Sequence, residues 1–185
     1  MLKGKKVLIG VTGSIAAYKT AELVRLFKKS EASVKVIQTE ASLSFVTPLT
    51  LSVLSENSIF SEIIDTESGD WNNHVELGAW ADFMVIAPLT ANTMAKMSKG
   101  ECDNLLLATY LSAKCPVYFA PAMDLDMYQH SSTKENINKL ISISNILIPP
   151  TSGELASGLI GEGRMEEPEK IVDFIERDLI GKSSL

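Results

Sequence analysis

The chain has 185 residues, with 17 Lys and Arg against 23 Asp and Glu, a formal charge of −6 at neutral pH. That length suits one compact domain with a sizeable core, and 45% apolar with 22% charged residues excludes wholesale disorder. The acidic balance argues against a nucleic-acid partner, and Cys102 and Cys115 fit a reducing compartment better than a disulfide framework, although a single bridge between them is compatible with the sequence.

The opening MLKGKKVLIGVTG carries an apolar run of only about six residues before glycine interrupts it, too short for a signal peptide or a membrane span. A cytoplasmic location without membrane contact is therefore expected. Lys6 to Val11 reads as a strand buried on both faces, Thr12-Gly13-Ser14 as a turn with Ser14 as N-cap, and Ile15 to Lys29 as a helix. Ser33 to Thr39 is the next strand, which makes a βαβ unit with a right-handed crossover. Ala41 to Phe45 and Pro48 to Ser55 read as short helices. Asp82 to Ala87 is a buried strand ending at Pro88, followed by a helix over Ala91 to Lys99. Pro116 to Ala120 is a strand ending at Pro121, Thr133 to Ile143 a helix, Asn145 to Ile148 a last strand and Glu169 to Leu179 a closing helix. The expected fold is a three-layer α/β, Rossmann-like and doubly wound, with helices on both faces of a mostly parallel sheet.

In such sheets the ligand crevice lies beyond the carboxyl ends of the strands, and the informative residues fall there. Gly10-Val-Thr-Gly13-Ser14 allows the backbone to approach a phosphate at a helix N-terminus, although an ordinary tight turn fits the same residues. The motif is neither GxGxxG nor a P-loop, which disfavours dinucleotides and nucleoside triphosphates and leaves a mononucleotide open. Ala87-Pro-Leu-Thr90-Ala91-Asn92-Thr93 repeats the arrangement after a later strand, as a second ligand loop or as plain N-capping. His74 has the chemistry of an acid or base and equally that of a structural side chain. With two histidines and no paired cysteine motif, no metal site is expected.

Pro121-Ala-Met123-Asp124-Leu-Asp126-Met127-Tyr128 places two methionines and two carboxylates directly after an apolar strand. Met123 and Met127 suit an irregular core or the face of an aromatic cofactor. Asp124 suits an N-cap, a substrate ligand or a proton-transfer group. The stretch from Thr151 to Met165 has too many glycines for a regular element and reads as a mobile flap or a surface loop, with Arg164 near its end available to a carboxylate or phosphate.

Taken together, GVTGSIAAYK at 10–19, TEASLSFVTPLT at 39–50, NHVELGAWAD at 73–82, APLTANTMAK at 87–96, PAMDLDMY at 121–128 and GEGRM at 161–165 resemble the homo-oligomeric flavin-containing cysteine decarboxylases. The likeness is strongest to the phosphopantothenoylcysteine decarboxylase branch, often the N-terminal half of a bifunctional coenzyme A biosynthesis protein. It implies a flavodoxin-type domain over 1–180, with 181–185 as a tail or the start of a linker to a synthase. It also implies FMN held at a subunit boundary, in homotrimers or dodecamers of trimers. On that resemblance Gly13, Ser14, Ile15 and Thr39 lie near the phosphate or ribityl chain, and Thr90, Ala91, Asn92, Thr93 and Met123 complete the cofactor site. His74, Asp124 and Ser157 take the catalytic positions, while Asp124, Met127, Ala156 and Arg164 take the substrate positions. The implied reaction oxidises the substrate's thiol-bearing carbon to a thioaldehyde, loses CO2 to give an enethiol, and then reduces it, ending at 4'-phosphopantetheine.

Three positions in two motifs depart from the family pattern. Asp124 stands where Asn is common, and an ionised Asp repels the substrate carboxylate that an amide would bind; Tyr128 replaces a tryptophan in the same motif. Ser157 stands where the flap commonly has a cysteine associated with the final reduction, so the reaction is at risk of stopping at the oxidised product. Two alternatives follow: an oxidative decarboxylase of a peptidyl cysteine or another flavin decarboxylase, and a nonenzymatic interaction subunit that retains FMN.

Overall fold

Each central strand sends alternate side chains to opposite faces, so an apolar run of five or six residues feeds two cores at once. The computed structural model describes residues 2–64, 69 and 71–183. Strands β1 (Lys6–Val11), β2 (Ser33–Gln38), β3 (Ile59–Phe60), β4 (Phe83–Leu89), β5 (Val117–Pro121) and β6 (Ile146–Leu147) form a six-stranded sheet in the order β3-β2-β1-β4-β5-β6. Every pairing in it is parallel. This is the doubly wound Rossmann-like order.

Val7, Ile9 and Val11 of β1, Phe83 and Val85 of β4 and Tyr118 of β5 point to one face. There they meet α1 (Lys19–Lys29), α2 (Pro48–Ser55) and α8 (Pro168–Ser183). On this side Phe83 packs between Phe27 and Tyr118, at ring-centroid distances of 5.8 and 6.0 Å, and the Tyr118 hydroxyl donates to Asp178 Oδ2 at 2.6 Å, tying α8 to the sheet. Leu8, Met84, Ile86, Val117 and Phe119 point the other way. They meet α3 (His74–Trp80), α4 (Ala91–Lys99), α5 (Leu105–Ser112) and α7 (Ser131–Ser142).

The expected elements are present with shifted ends. The segment from Ile15 to Lys29 divides into a 3-10 turn, Ile15–Tyr18, and α1. The helix expected at Ala41 to Phe45 is a 3-10 turn, Glu40–Ser44. Strand β4 does not end at Pro88 but runs to Leu89: the register with β5 shifts between Ile86 and Leu89, so the donor that proline lacks falls at an irregularity. Helix α8 continues to Ser183, past the expected domain end at 180. Helix α5 has no counterpart in the pattern of the sequence, because Leu105 through Tyr110 are all buried and no polar face marks its period.

The glycine-rich stretch is corrected from an irregular flap to an antiparallel hairpin of β7 (Thr151–Glu154) and β8 (Ile160–Arg164). Its tip closes through Leu155 N–H to the Leu159 carbonyl at 2.8 Å. Glycine is required at 163, where φ is +137° and a Cβ would lie 2.4 Å from the Met123 carbonyl oxygen. That close approach lets the Met123 N–H donate to the Gly163 carbonyl at 3.0 Å and seats the hairpin beside β5. Cys102 and Cys115 are both free thiols. Among the described residues no helix is long and apolar enough to cross a membrane.

Candidate functional site

The chain leaves β1 toward β2 on one side and β4 toward β5 on the other, so the carboxyl ends of these adjacent strands diverge and open a crevice. A cavity of about 1070 Å³ occupies it, at the top of the range for small-molecule sites and large enough for a cofactor with a substrate beside it.

The turn after β1 supplies Gly13, Ser14 and Ile15 to the wall, and the end of β2 supplies Thr39. Ser14 caps the 3-10 turn, its Oγ accepting from Ala16 N–H at 3.2 Å. A Cβ on Gly13 would come within 2.6 Å of the Ala41 Cβ, so only glycine lets the two turns close together. Thr39 is held by its N–H and its hydroxyl, both donating to the Val11 carbonyl, at 3.0 and 3.3 Å. The turn after β4 supplies Thr90, Ala91, Asn92 and Thr93. Thr90 caps α4 by accepting from Thr93 N–H at 3.3 Å, which directs the helix N-terminus at the cavity.

Thr12 joins these two turns. It is fully buried, its hydroxyl donating to the Pro88 carbonyl at 2.7 Å and accepting from Thr90 N–H at 2.9 Å. Its position beside Gly13 in the first turn was legible in the sequence, but its reach across 76 residues to Pro88 was not.

The opposite wall comes from β5 and the hairpin. Met123, Asp124 and Met127 line it from α6 (Leu125–Gln129) and the segment before it, and Ala156, Ser157 and Arg164 line it from the hairpin. Asp124 is the N-cap of α6, with Oδ1 accepting from Leu125 N–H at 2.6 Å. The same oxygen accepts from the Ser157 hydroxyl at 3.1 Å. Two of the three family departures, Asp124 and Ser157, therefore touch one another beneath the hairpin. Tyr128, the third, is buried in the core below α6.

Lys19 lines the cavity and pairs with Glu167 outside it, and periodicity singled out neither. Lys19 is buried on the cavity wall, its ammonium donating to the Met165 carbonyl at 3.0 Å and to Glu167 Oε1 at 2.9 Å. Arg164 donates to that same Oε1 at 2.9 Å. The Lys19 hydrogen bond, aided by the Lys19 and Arg164 charges against a desolvation cost, holds the Glu167 carboxyl below its ordinary range. The root of the hairpin is thus fastened to the start of α1. A buried lysine facing a carboxylate 148 residues away leaves no local signal.

His74 is not among the residues lining the cavity. It opens α3, capped by Asn73, and its Nδ1 is buried with no hydrogen-bond partner. The exposed rings and branches of Trp71, Val75 and Ile64 lie near it in sequence, and Ile15, Tyr18, Leu49 and Val53 are exposed as well. Among the described residues no cluster of His, Cys, Asp and Glu is arranged to hold a metal ion.

The profile of one protein family, described as Flavoprotein, matches residues 1–180. The chain is 44% identical over 170 residues to the coenzyme A biosynthesis bifunctional protein CoaBC of Haemophilus influenzae, covering 92% of this chain and 42% of that protein. It is 58% identical over 127 residues to a cysteine/cysteine sulfinic acid decarboxylase from an unknown prokaryotic organism, covering 69% of this chain and 35% of that one. The matched stretch thus spans less than half the length of either relative. Among solved structures, a cysteine-to-serine mutant of PPC decarboxylase complexed with pantothenoylaminoethenethiol superposes with a TM-score of 0.85 at 34% identity, covering 96% of this chain and 99% of that one. The FMN binding protein AtHal3 superposes at 0.82 and 34% identity, covering 98% of each.

Proposed function

Because the chain belongs to the Flavoprotein family across residues 1–180, we propose that it binds FMN in the crevice and decarboxylates 4'-phospho-N-pantothenoylcysteine to 4'-phosphopantetheine, a step of coenzyme A biosynthesis. The observation that carries this reading is one cavity walled on one side by phosphate-type turns and on the other by the Asp124–Ser157 contact under a closed hairpin. The CoaBC and PPC decarboxylase likenesses support the substrate.

The residues fit a flavin mononucleotide. Gly13 brings its turn against Ala41 with no side chain between, Ser14 and Thr39 add hydroxyls, and the α4 N-terminus adds positive potential for a phosphate. Met123 and Met127 offer polarisable surface to a ring system. Bound FMN supplies the two-electron chemistry that makes loss of CO2 from a cysteine carboxylate feasible. The chain's own part is to orient the substrate, exclude water beneath the hairpin and control protons at Asp124 and Ser157. His74 acts in the cavity of a neighbouring copy, a role that its place outside its own cavity and the exposed apolar side chains support. The assembly is a trimer, or a dodecamer of trimers, and the domain works fused to or beside a phosphopantothenoylcysteine synthase.

A second reading, decarboxylation of free cysteine or its sulfinate, is favoured by the 58% identity to the relative of that name. Anaerobic mass spectrometry of products from both substrates, with flavin absorbance followed in parallel, separates them. Phosphopantetheine with reoxidised flavin supports the primary reading. Accumulated enethiol with reduced flavin shows that Ser157 stops the reaction after CO2 loss. Turnover of cysteine alone moves the assignment to the second reading, and bound flavin with no turnover of either refutes both.

A further inference from the structure

We infer that a second cavity, at the opposite end of the sheet from the crevice, binds a small neutral molecule that presents an amide edge on an apolar body. It measures about 280 Å³, and its walls include Tyr110 and Leu111 at the end of α5, Cys115 and Val117 at the start of β5, and Ile143 and Asn145 beyond α7. None of these residues lines the crevice. Val117 opens β5, so this cavity lies at the amino-terminal ends of the strands, whereas the crevice lies at their carboxyl ends. The volume is just below the roughly 300–1,000 Å³ of drug-sized sites, which suits a fragment-sized ligand.

Two polar side chains define what the cavity recognises. The chain leaves α7 through Ser144, whose φ of +71° lies in the left-handed region, and Asn145 follows with 8% of its surface exposed. The Asn145 N–H and Nδ2 both donate to the Leu140 carbonyl, at 3.0 and 3.1 Å, and Nδ2 also donates to the Tyr110 hydroxyl at 3.0 Å. A backbone carbonyl only accepts, so it fixes which end of the Asn145 amide is nitrogen. Asn145 Oδ1 is left as an acceptor with no donor, and the Tyr110 phenolic proton as a donor with no acceptor, among the described residues. The two groups are held together by their own hydrogen bond, and the C=O and N–H of an amide edge complement what each leaves unused.

The same walls select against charge. Burial pushes both the Tyr110 phenol and the Cys115 thiol up, so each keeps its proton at neutral pH, and the nearby Asp82 charge adds to the shift at Cys115. Neither a cationic nor a carboxylate side chain lines this cavity among the described residues, so an ionised ligand would lose its solvation and gain no partner. Leu111 and Ile143, at 50% and 46% exposed, supply apolar surface for the body of the ligand to cover.

The two free thiols provide the test, since Cys115 lines this cavity and the exposed Cys102 does not. The intact protein is treated with methyl methanethiosulfonate, and modification of each cysteine is followed by peptide mass spectrometry with benzamide, benzoate, toluene or no addition. Benzamide is expected to slow modification of Cys115 at least about threefold at millimolar concentration, the affinity range of a ligand this small, and to leave Cys102 unchanged. Benzoate, which is charged, and toluene, which lacks the amide edge, are expected to protect far less. Tyr110→Phe keeps the ring and removes the donor, and Asn145→Leu removes the acceptor; in each, protection by benzamide should fall to the toluene level, and Tyr110→Phe decides if Asn145→Leu fails to fold. No protection by benzamide, equal protection by toluene or benzoate, equal slowing at Cys102, or full protection in Tyr110→Phe overturns the inference. If Cys115 resists the reagent without any ligand, a benzamide-soaked crystal decides: density bridging Tyr110 and Asn145 supports the inference and its absence overturns it.

Discussion

Thr12→Val replaces a buried hydroxyl by a methyl of nearly the same volume, so it tests the link between the two turns that line the crevice without opening a cavity. The change strands two backbone groups, the Pro88 carbonyl, now reached at 2.7 Å, and the Thr90 N–H, now reaching Thr12 at 2.9 Å. A buried polar group left unpaired costs about 1–3 kcal/mol, so the pair should cost about 2–6 kcal/mol. For a chain of this length about 1 kcal/mol moves the midpoint by roughly 2–4 °C, which gives a fall of about 4–24 °C. The assay is urea and thermal unfolding at one fixed flavin concentration, because bound ligand raises apparent stability. Flavin retention on gel filtration should fall in parallel, since the Thr90 turn loses its tether. Thr12→Ser keeps the hydroxyl and should lie within about 1 kcal/mol of wild type. A Thr12→Val protein within about 0.5 kcal/mol of wild type, with full flavin retention, would refute the reasoning.

Gly163→Ala forces a Cβ to within 2.4 Å of the Met123 carbonyl at a backbone angle that L residues rarely adopt, so the hairpin should lift from β5. Turnover should drop at least about tenfold, with new proteolytic cleavage between residues 151 and 164 and little change in global unfolding; an unchanged cleavage pattern contradicts the seating described. Glu167 has a lowered folded-state proton affinity because Lys19 and Arg164 hold its carboxylate. Its stabilising effect is therefore complete above the ordinary carboxylate range, near pH 4.3, and is lost as pH falls through the lowered value. Urea midpoints measured from about pH 6 to 3 should fall more steeply for wild type than for Glu167→Gln, and parallel curves would show that the contact carries no such linkage.

The strand cores and the four loops at their carboxyl ends were legible in the sequence, because both are written in short-range chemistry. Val7 to Val11, Phe83 to Ala87 and Val117 to Ala120 are branched or aromatic runs of strand length, and Ser14, Thr90 and Asp124 announce helix starts by their capping side chains. Helix α5 escaped because burial on all sides erases the polar face that marks a helical period. The hairpin escaped because its glycines answer to the backbone of Met123 and the side chain of Leu125, neither of which is near in sequence. Site residues followed the same division. Gly13, Ser14 and Thr90–Thr93 were placed at the cavity by their position after a strand, and Thr39 by the family resemblance, whereas Thr12, Lys19 and Glu167 meet partners 76 or more residues away. Asp124 and Ser157 could each be recognised as a departure, but only folding sets one hydroxyl on the other's carboxylate across 33 residues. Propensity, capping and burial pattern act over a few neighbours and are recorded in the chain. Pairing between distant polar groups depends on where the sheet brings them, and that is decided by tertiary packing.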